Sequence, residues 1–203
     1  MSEIKVWAAD IGSISNNKFG WCRSASKSDY KLGRDIRDFA KRISDDITNN
    51  RKVALGFECP LFVPVTKNPI GLTSKRDGEG DRPWSASAGT CVLAAGLSEC
   101  VWVFEQIRDI SKVNINPTFD WDYFIREDAN MFIWEAFVTG KAKSLSDEGD
   151  ARIAANTFWD RYPNIISDVF AENPYSLVGA ALLRAGLSED LKFLSQQCIV
   201  IKS

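Results

Sequence analysis

Four acids of this 203-residue chain, Asp10, Glu58, Glu135 and Asp150, sit where side-chain type and position together could do chemistry. Asp10 closes the apolar run IKVWAAD, and Glu58 closes VALGFE. Glu135 stands inside MFIWEAFV, and Asp150 stands in DEGDARIAANTFW, three residues after Asp147. An ionised carboxylate at the end of a buried strand is costly unless it is paired or bound to a cation. Several such groups repel one another and raise each other's pKa values until a divalent ion neutralises them. The chain contains no histidine, which excludes Ser-His-Asp and Cys-His catalysis and any imidazole metal ligand. Ligation by oxygen alone suits Mg2+ or Mn2+ rather than Zn2+.

Each acid also has an ordinary use. Asp10 can cap the amides of Gly12 and Ser13. Glu58 can pair with a Lys or Arg of the stretch 64–84, and Glu135 can face solvent near a sheet edge. Asp147 and Glu148 suit the positive end of a helix dipole, and for those two this is the stronger reading. Taken singly, each acid favours its ordinary use; the joint arrangement on successive strands favours a site. Ala8, Ala54 and Gly56 share the faces of Asp10 and Glu58, and such small neighbours leave room for a helix or a ligand.

The elements that must position these acids follow from periodicity. Residues 4–10 alternate as a strand, 18–24 read as the returning strand of a hairpin turned by Ser15-Asn16-Asn17, and 27–32 offers a third short strand. Between Arg34 and Asn49, Ile36, Phe39, Ala40, Ile43 and Ile47 recur at helical spacing. The run 53–58 predicts a buried strand stopped by Pro60. Residues 64–84 are rich in Pro, Gly and charge, and predict a long functional loop. An apolar helix over 86–110, an aromatic segment at 119–124, a strand over 131–138, helices over 147–159 and 174–187, and a short strand at 198–202 complete the chain. The order is β-β-(β)-α-β-α-β-α with further helices. No repeat or linker divides it, so one domain over 1–203 is expected, with a C-terminal helical extension from 160.

Composition narrows the remaining classes. The formal net charge is -2, which gives no global basic field for nucleic acid. The five cysteines are odd in number, scattered and without a CxxC pair. They argue for reduced core thiols in a cytoplasmic protein rather than disulfides or a zinc site. No run of about 18 apolar residues predicts a membrane span, and the first ten residues do not read as a secretory signal.

The order of elements and acids resembles the ribonuclease H-like superfamily. The motifs that carry the resemblance are "AADIGS" at Asp10, "GFECPLFVP" at Glu58, "IWEAFVTGKAKS", "DEGDARIAANTFW" and "SLVGAALLRAGL". They are similar to a bacterial family of uncharacterised predicted ribonuclease H-like nucleases, with acids placed as in the Holliday-junction resolvase branch. The resemblance implies an α/β, three-layer fold whose mixed central sheet, antiparallel hairpin strands plus parallel strands, carries helices on both faces. It implies that Asp10, Glu58 and Asp150 hold one or two Mg2+ or Mn2+ ions, with Glu135 or Asp147 completing the second site. A metal-dependent nuclease or phosphodiesterase acting on nucleic acid is then expected. Lys75, Arg76 and Arg82, with Lys67, are the expected phosphate contacts, and Trp84 a surface for base stacking; a solvated loop explains them equally well. The resolvase-like pattern offers a histidine three residues before the last acid, where this chain has Asp147.

Two rivals remain. A non-catalytic ribonuclease H-like binding or regulatory module, with a degenerate metal site, would use the apolar helix 86–110 and the tryptophans as an interface, including that of a homodimer. A phosphate-handling fold of the actin and sugar-kinase kind needs two domains and a second Asp-x-Gly hairpin, which this chain lacks.

Overall fold

The computed structural model describes residues 3–203; Met1 and Ser2 lie outside it. Strand β1 (Ile4–Asp10) pairs antiparallel with β2 (Gly20–Ser24), and β2 with β3 (Tyr30–Gly33). Helix α1 (Ile36–Thr48) crosses over to β4 (Lys52–Glu58), which lies parallel to β1. After the short β5 (Phe62–Pro64) and a long loop come α2 (Ala88–Ile110), β6 (Pro117–Thr118), α3 (Trp121–Arg126) and β7 (Met131–Phe137). The chain ends with α4 (Asp147–Arg161), β8 (Pro174–Ser176), α5 (Leu177–Arg184) and β9 (Ile199–Lys202). The main sheet runs β3-β2-β1-β4-β7-β6, with β9 parallel to the second half of β7. It is an α/β fold on a mixed sheet, as expected.

The central strands are buried on both faces, and their alternate side chains feed two cores. Trp7, Ala9, Leu55, Phe57 and Ile133 pack with α1, α2 and α5. Val6, Ala8, Ala54, Phe132 and Trp134 pack with α3 and α4. Helix α1 buries the five apolar positions its periodicity picked out, and Asp35 caps it by accepting from the amide of Arg37 at 2.7 Å. Helix α2 is long and apolar enough to cross a membrane by length and composition. It is nonetheless a layer of this domain, with Cys100, Val103, Phe104 and Ile107 in the first core.

Three expectations need correction. The 174–187 helix starts only at Leu177, because Pro174–Ser176 pair with β5, and Ser176 then caps the helix through the Gly179 amide. The region from 160 onward is not a helical extension, since β9 enters the main sheet. The 64–84 loop is pinned rather than freely solvated. Arg76 and Glu79 are each 2% exposed, and Asp77 and Phe170 exchange backbone hydrogen bonds at 2.9 Å. All five cysteines are free thiols, and only Cys91 is exposed.

Candidate metal centre

Asp10 and Glu58 are register partners across the parallel β1–β4 pair, so both strands deliver their last residue to the same edge. Period-two alternation puts them on the face of Val6, Ala8 and Ala54, which is the face that α4 covers. Gly20 lies opposite Asp10 in β2, and a Cβ there would meet the backbone carbonyl carbon of Asp147 at 2.3 Å. The missing side chain lets the start of α4 land directly on the sheet beside Asp10. Asp150, in the first turn of α4, thereby joins the two strand acids. One carboxylate oxygen from each of Asp10, Glu58 and Asp150 lies within 4.8 Å of the others. Around Mg2+ neighbouring ligand oxygens lie about 3 Å apart and opposite ones about 4.2 Å, so the three can close on one ion by shifts on the order of an ångström or two.

The electrostatics of this triad are under-compensated. Burial, opposed by Lys143 and reinforced by Asp150 and Asp147, pushes the Asp10 carboxyl up to about 7. Burial and the neighbouring Asp10 charge push Glu58 up to about 8. Lys143 sends its ammonium between two of the acids, 3.1 Å from Glu58 Oε1 and 3.1 Å from Asp150 Oδ2. Burial alone would lower Lys143, but Glu58, Asp150 and Asp10 outweigh it and raise its pKa. Asp150 also accepts from the Ser144 amide at 2.5 Å. Glu58 Oε2, by contrast, is buried without any hydrogen-bond partner. Three carboxylates against one ammonium leave a formal excess of negative charge that a divalent cation would reduce.

Glu99 of α2 is a further acid at this end of the sheet. It is 8% exposed, its Oε2 has no partner, and burial together with Asp10 pushes it up to about 7 against the pull of the Gly12 amide. The Gly12 amide thus lies near Glu99 and lowers its pKa somewhat. Sequence reading missed Glu99, although it is the one charged residue between Ala86 and Phe104. Lys143 was also missed; it follows the short turn Gly140–Ala142, which returns the chain from β7 toward the acids.

Glu135 is not part of the triad. It belongs to the opposite face, in register with Phe57, where it accepts both Arg76 Nη1 at 2.8 Å and Arg76 Nη2 at 2.7 Å. The Leu61 amide completes its bonds at 2.9 Å. Arg76, which also holds Glu79, is thereby buried and committed, so it cannot serve as a phosphate contact. Lys75 is exposed but turns to the Gly80 carbonyl, and Lys67 is exposed and does not line the cleft beside the acids. Arg82 and Trp84 line a cleft that also reaches Asp10, Glu58 and Lys143. Asp147 and Glu148 flank Arg34, which grips Glu148 bidentately. The room expected beside Gly56 is filled by the Trp134 indole, which would lie 2.4 Å from a Cβ at that position.

No family model, no curated protein and no solved structure matches this chain. What the site can do must therefore be argued from its own geometry. Clustered, buried, partly orphaned carboxylates without imidazole can bind a hard divalent cation, and they can do so at an edge open to a ligand through the adjoining cleft.

Proposed function

We propose that this protein is a ribonuclease H-like, divalent-metal-dependent phosphodiesterase acting on nucleic acid. The observation that carries the reading is the meeting of Asp10, Glu58 and Asp150, with Glu58 Oε2 left unpartnered. The sheet order β3-β2-β1-β4-β7, with β2 alone antiparallel to its two neighbours and helices on both faces, supports the fold half of the proposal. Asp10, Glu58 and Asp150 would hold Mg2+ or Mn2+, with Glu99 able to tune the charge around Asp10. Such an ion supplies an activated water and charge stabilisation at the scissile phosphate. The chain's own part is electrostatic. Lys143 holds the acids together when no cation is bound and offers a positive charge to a phosphate once it swings free. Arg82, at the mouth of the cleft, attracts the same anion.

The second reading, a binding module with a degenerate site, is favoured by one observation: the Lys143 ammonium already bridges Glu58 and Asp150. The two readings part on Mn2+ binding followed by electron paramagnetic resonance, together with hydrolysis of a labelled oligonucleotide. Wild type is expected to bind Mn2+ and cleave, Asp10→Asn to lose both, and Glu135→Gln to keep Mn2+ binding. Mn2+ binding without cleavage selects the module. An Asp10→Asn variant that binds Mn2+ as well as wild type removes the metal centre altogether.

A further inference from the structure

Beside the acids lies a cleft of about 280 Å3, walled by the end of β4, the end of β7, the 76–89 strap and the start of α2. We propose that this cleft takes one terminal or free nucleotide, with its phosphate seated between the carboxylate-bound cation and the N-terminus of α2. The proposal rests on the metal-site reading above and adds to it a substrate class and a second, anion-binding wall.

Four observations converge. First, α2 is a 23-residue helix whose N-cap, Ser87, makes no side-chain cap bond, and no acid stands in its first turn. The Gly89 amide is taken by the Ala86 carbonyl at 3.1 Å, but the Ala88 amide and the positive end of the dipole remain for an outside anion. Second, the same cleft receives Glu58, about nine-tenths buried and with Oε2 unpartnered, which points to a cation a short way from that helix end. A phosphate bridging a cation and a helix N-terminus satisfies both walls at once. Third, the roof is rigid. Glu135 on β7 holds Arg76, Arg76 holds Glu79, and Glu79 accepts the Trp84 amide at 2.8 Å. The Trp84 indole donates to the Ser74 carbonyl at 3.0 Å, so a half-buried ring is fixed along the cleft wall, where a base could stack. The strap also meets the helix backbone to backbone, since a Cβ at Gly89 would lie 2.6 Å from the Pro83 carbonyl oxygen. Fourth, the volume of about 280 Å3 falls just below the roughly 300–1,000 Å3 of small-molecule pockets, a size for a single nucleotide unit held in part at the open edge and too little for a duplex. Glu135, absent from the triad, thus acts as a positioning residue for the roof.

The test uses the full chain, Mn2+ and adenosine 5′-monophosphate, comparing wild type with Ala88→Asp. Ala88 is exposed, and an acid in a helix's first turn suits the helix dipole, so the variant keeps its fold. Wild type is expected to bind the nucleotide, and Ala88→Asp to bind it about tenfold or more weakly, because a carboxylate then occupies the anion wall. Mn2+ affinity, measured before nucleotide is added, should not fall, since an added carboxylate in the same cleft favours a cation. Equal nucleotide affinity in the two proteins overturns the anion wall. Mn2+ binding with no nucleotide binding in wild type overturns the cleft and leaves the metal centre standing. Nucleotide binding that needs no Mn2+ but is lost in Ala88→Asp keeps the anion wall and overturns the cation's part in seating the phosphate. A short 5′-phosphorylated linear oligonucleotide that competes with the monophosphate identifies chain ends as the source. Failure of that competition leaves free nucleotides as the source. A closed single-stranded circle that competes equally well rejects the single-nucleotide cleft.

Discussion

A single buried acid of α1, Asp46, and the buried triad of Asp10, Glu58 and Asp150 lie toward opposite ends of the same sheet, and their chemistry is opposite. At one end Asp46, at 3% exposure, accepts Trp7 Nε1 at 3.0 Å, Arg23 through two bonds at 2.8 and 2.9 Å, and Arg51 at 2.8 Å. Burial alone would raise its pKa, but hydrogen bonds from Arg23 and Arg51 outweigh it and hold the carboxyl below its ordinary value. At the other end Asp10 and Glu58 share one lysine with Asp150 and rise to about 7 and about 8. Burial is similar at both ends; compensation is not. A folded chain with two arginines to spare for Asp46 leaves three acids to one ammonium at the other edge, and that imbalance is what points to an external cation. The Arg76–Glu135 network makes the same point a third time, since a fully bonded carboxylate there needs nothing from outside.

The sharpest break between the two ends is the sign of a charge deletion. Asp46→Ala leaves Arg23 and Arg51 without their shared acceptor, and is expected to cost about 2–3 kcal/mol, less than for a fully buried pair because Arg51 is 38% exposed. Asp10→Asn, measured without divalent ions at pH 8, is expected to gain about 1–2 kcal/mol, because it removes an uncompensated buried charge. Urea unfolding of both variants decides the matter. Equal losses would make the two sites the same kind of structural ion pair.

How much of this the sequence made readable depends on which step of the folding a residue needs. The strands of Asp10, Glu58 and Glu135 and the helix of Asp150 follow from local periodicity, and three of these acids do meet. Glu135 did not join them because the face a strand residue takes depends on register with its neighbour. Pairing of Glu135 with Phe57, one residue before Glu58, turns it to the other layer. Arg76 was invisible as a core residue for the same reason: only the folded strap shows Glu79 and Glu135 on either side of it. Lys143 depends on how a short turn redirects the chain after β7. Glu99 was legible in principle, as a lone charge in an apolar helix, yet its approach to the Gly12 turn is a tertiary fact.

A divalent cation should abolish part of the contrast. In the metal-free protein Asp10 and Glu58 have folded pKa values above their ordinary 3.8 and 4.5, so the folded state holds more protons than the unfolded one between about pH 4 and about pH 8. Stability therefore falls as pH rises through that window. The groups facing the pair are Lys143 from the turn after β7, Asp147 and Asp150 from α4, and Glu99 from α2. Asp46 runs the other way: its lowered pKa contributes stability above its ordinary value, and that contribution is lost only as acid protonates it. Adding Mn2+ at about 100 times its dissociation constant should restore about 2.7 kcal/mol at pH 8. The same ion should restore far less at pH 5, where protons already occupy the acids. Urea midpoints from pH 5 to 8.5, with Mn2+ and with chelator, measure both slopes. A flat metal-free profile would mean that the triad is compensated after all.

The smallest expected effect separates competition from support at the same centre. The Lys143 ammonium stands 3.1 Å from two of the three acids, so a cation bound among them must displace it. Lys143 is also about half exposed, which gives its head a route into solvent at little cost. Lys143→Met keeps the stem and removes the charge, and is expected to tighten Mn2+ binding by up to about tenfold, or about 1.4 kcal/mol. The metal-free variant should at the same time lose stability at pH 8, since Glu58 and Asp150 are left without their shared partner. Isothermal titration with Mn2+ and urea unfolding read the two effects independently. If Mn2+ instead binds the variant more weakly, Lys143 is holding the carboxylates in ligating positions rather than occupying the ion's place, and the two ends of the sheet differ less than their charge counts suggest.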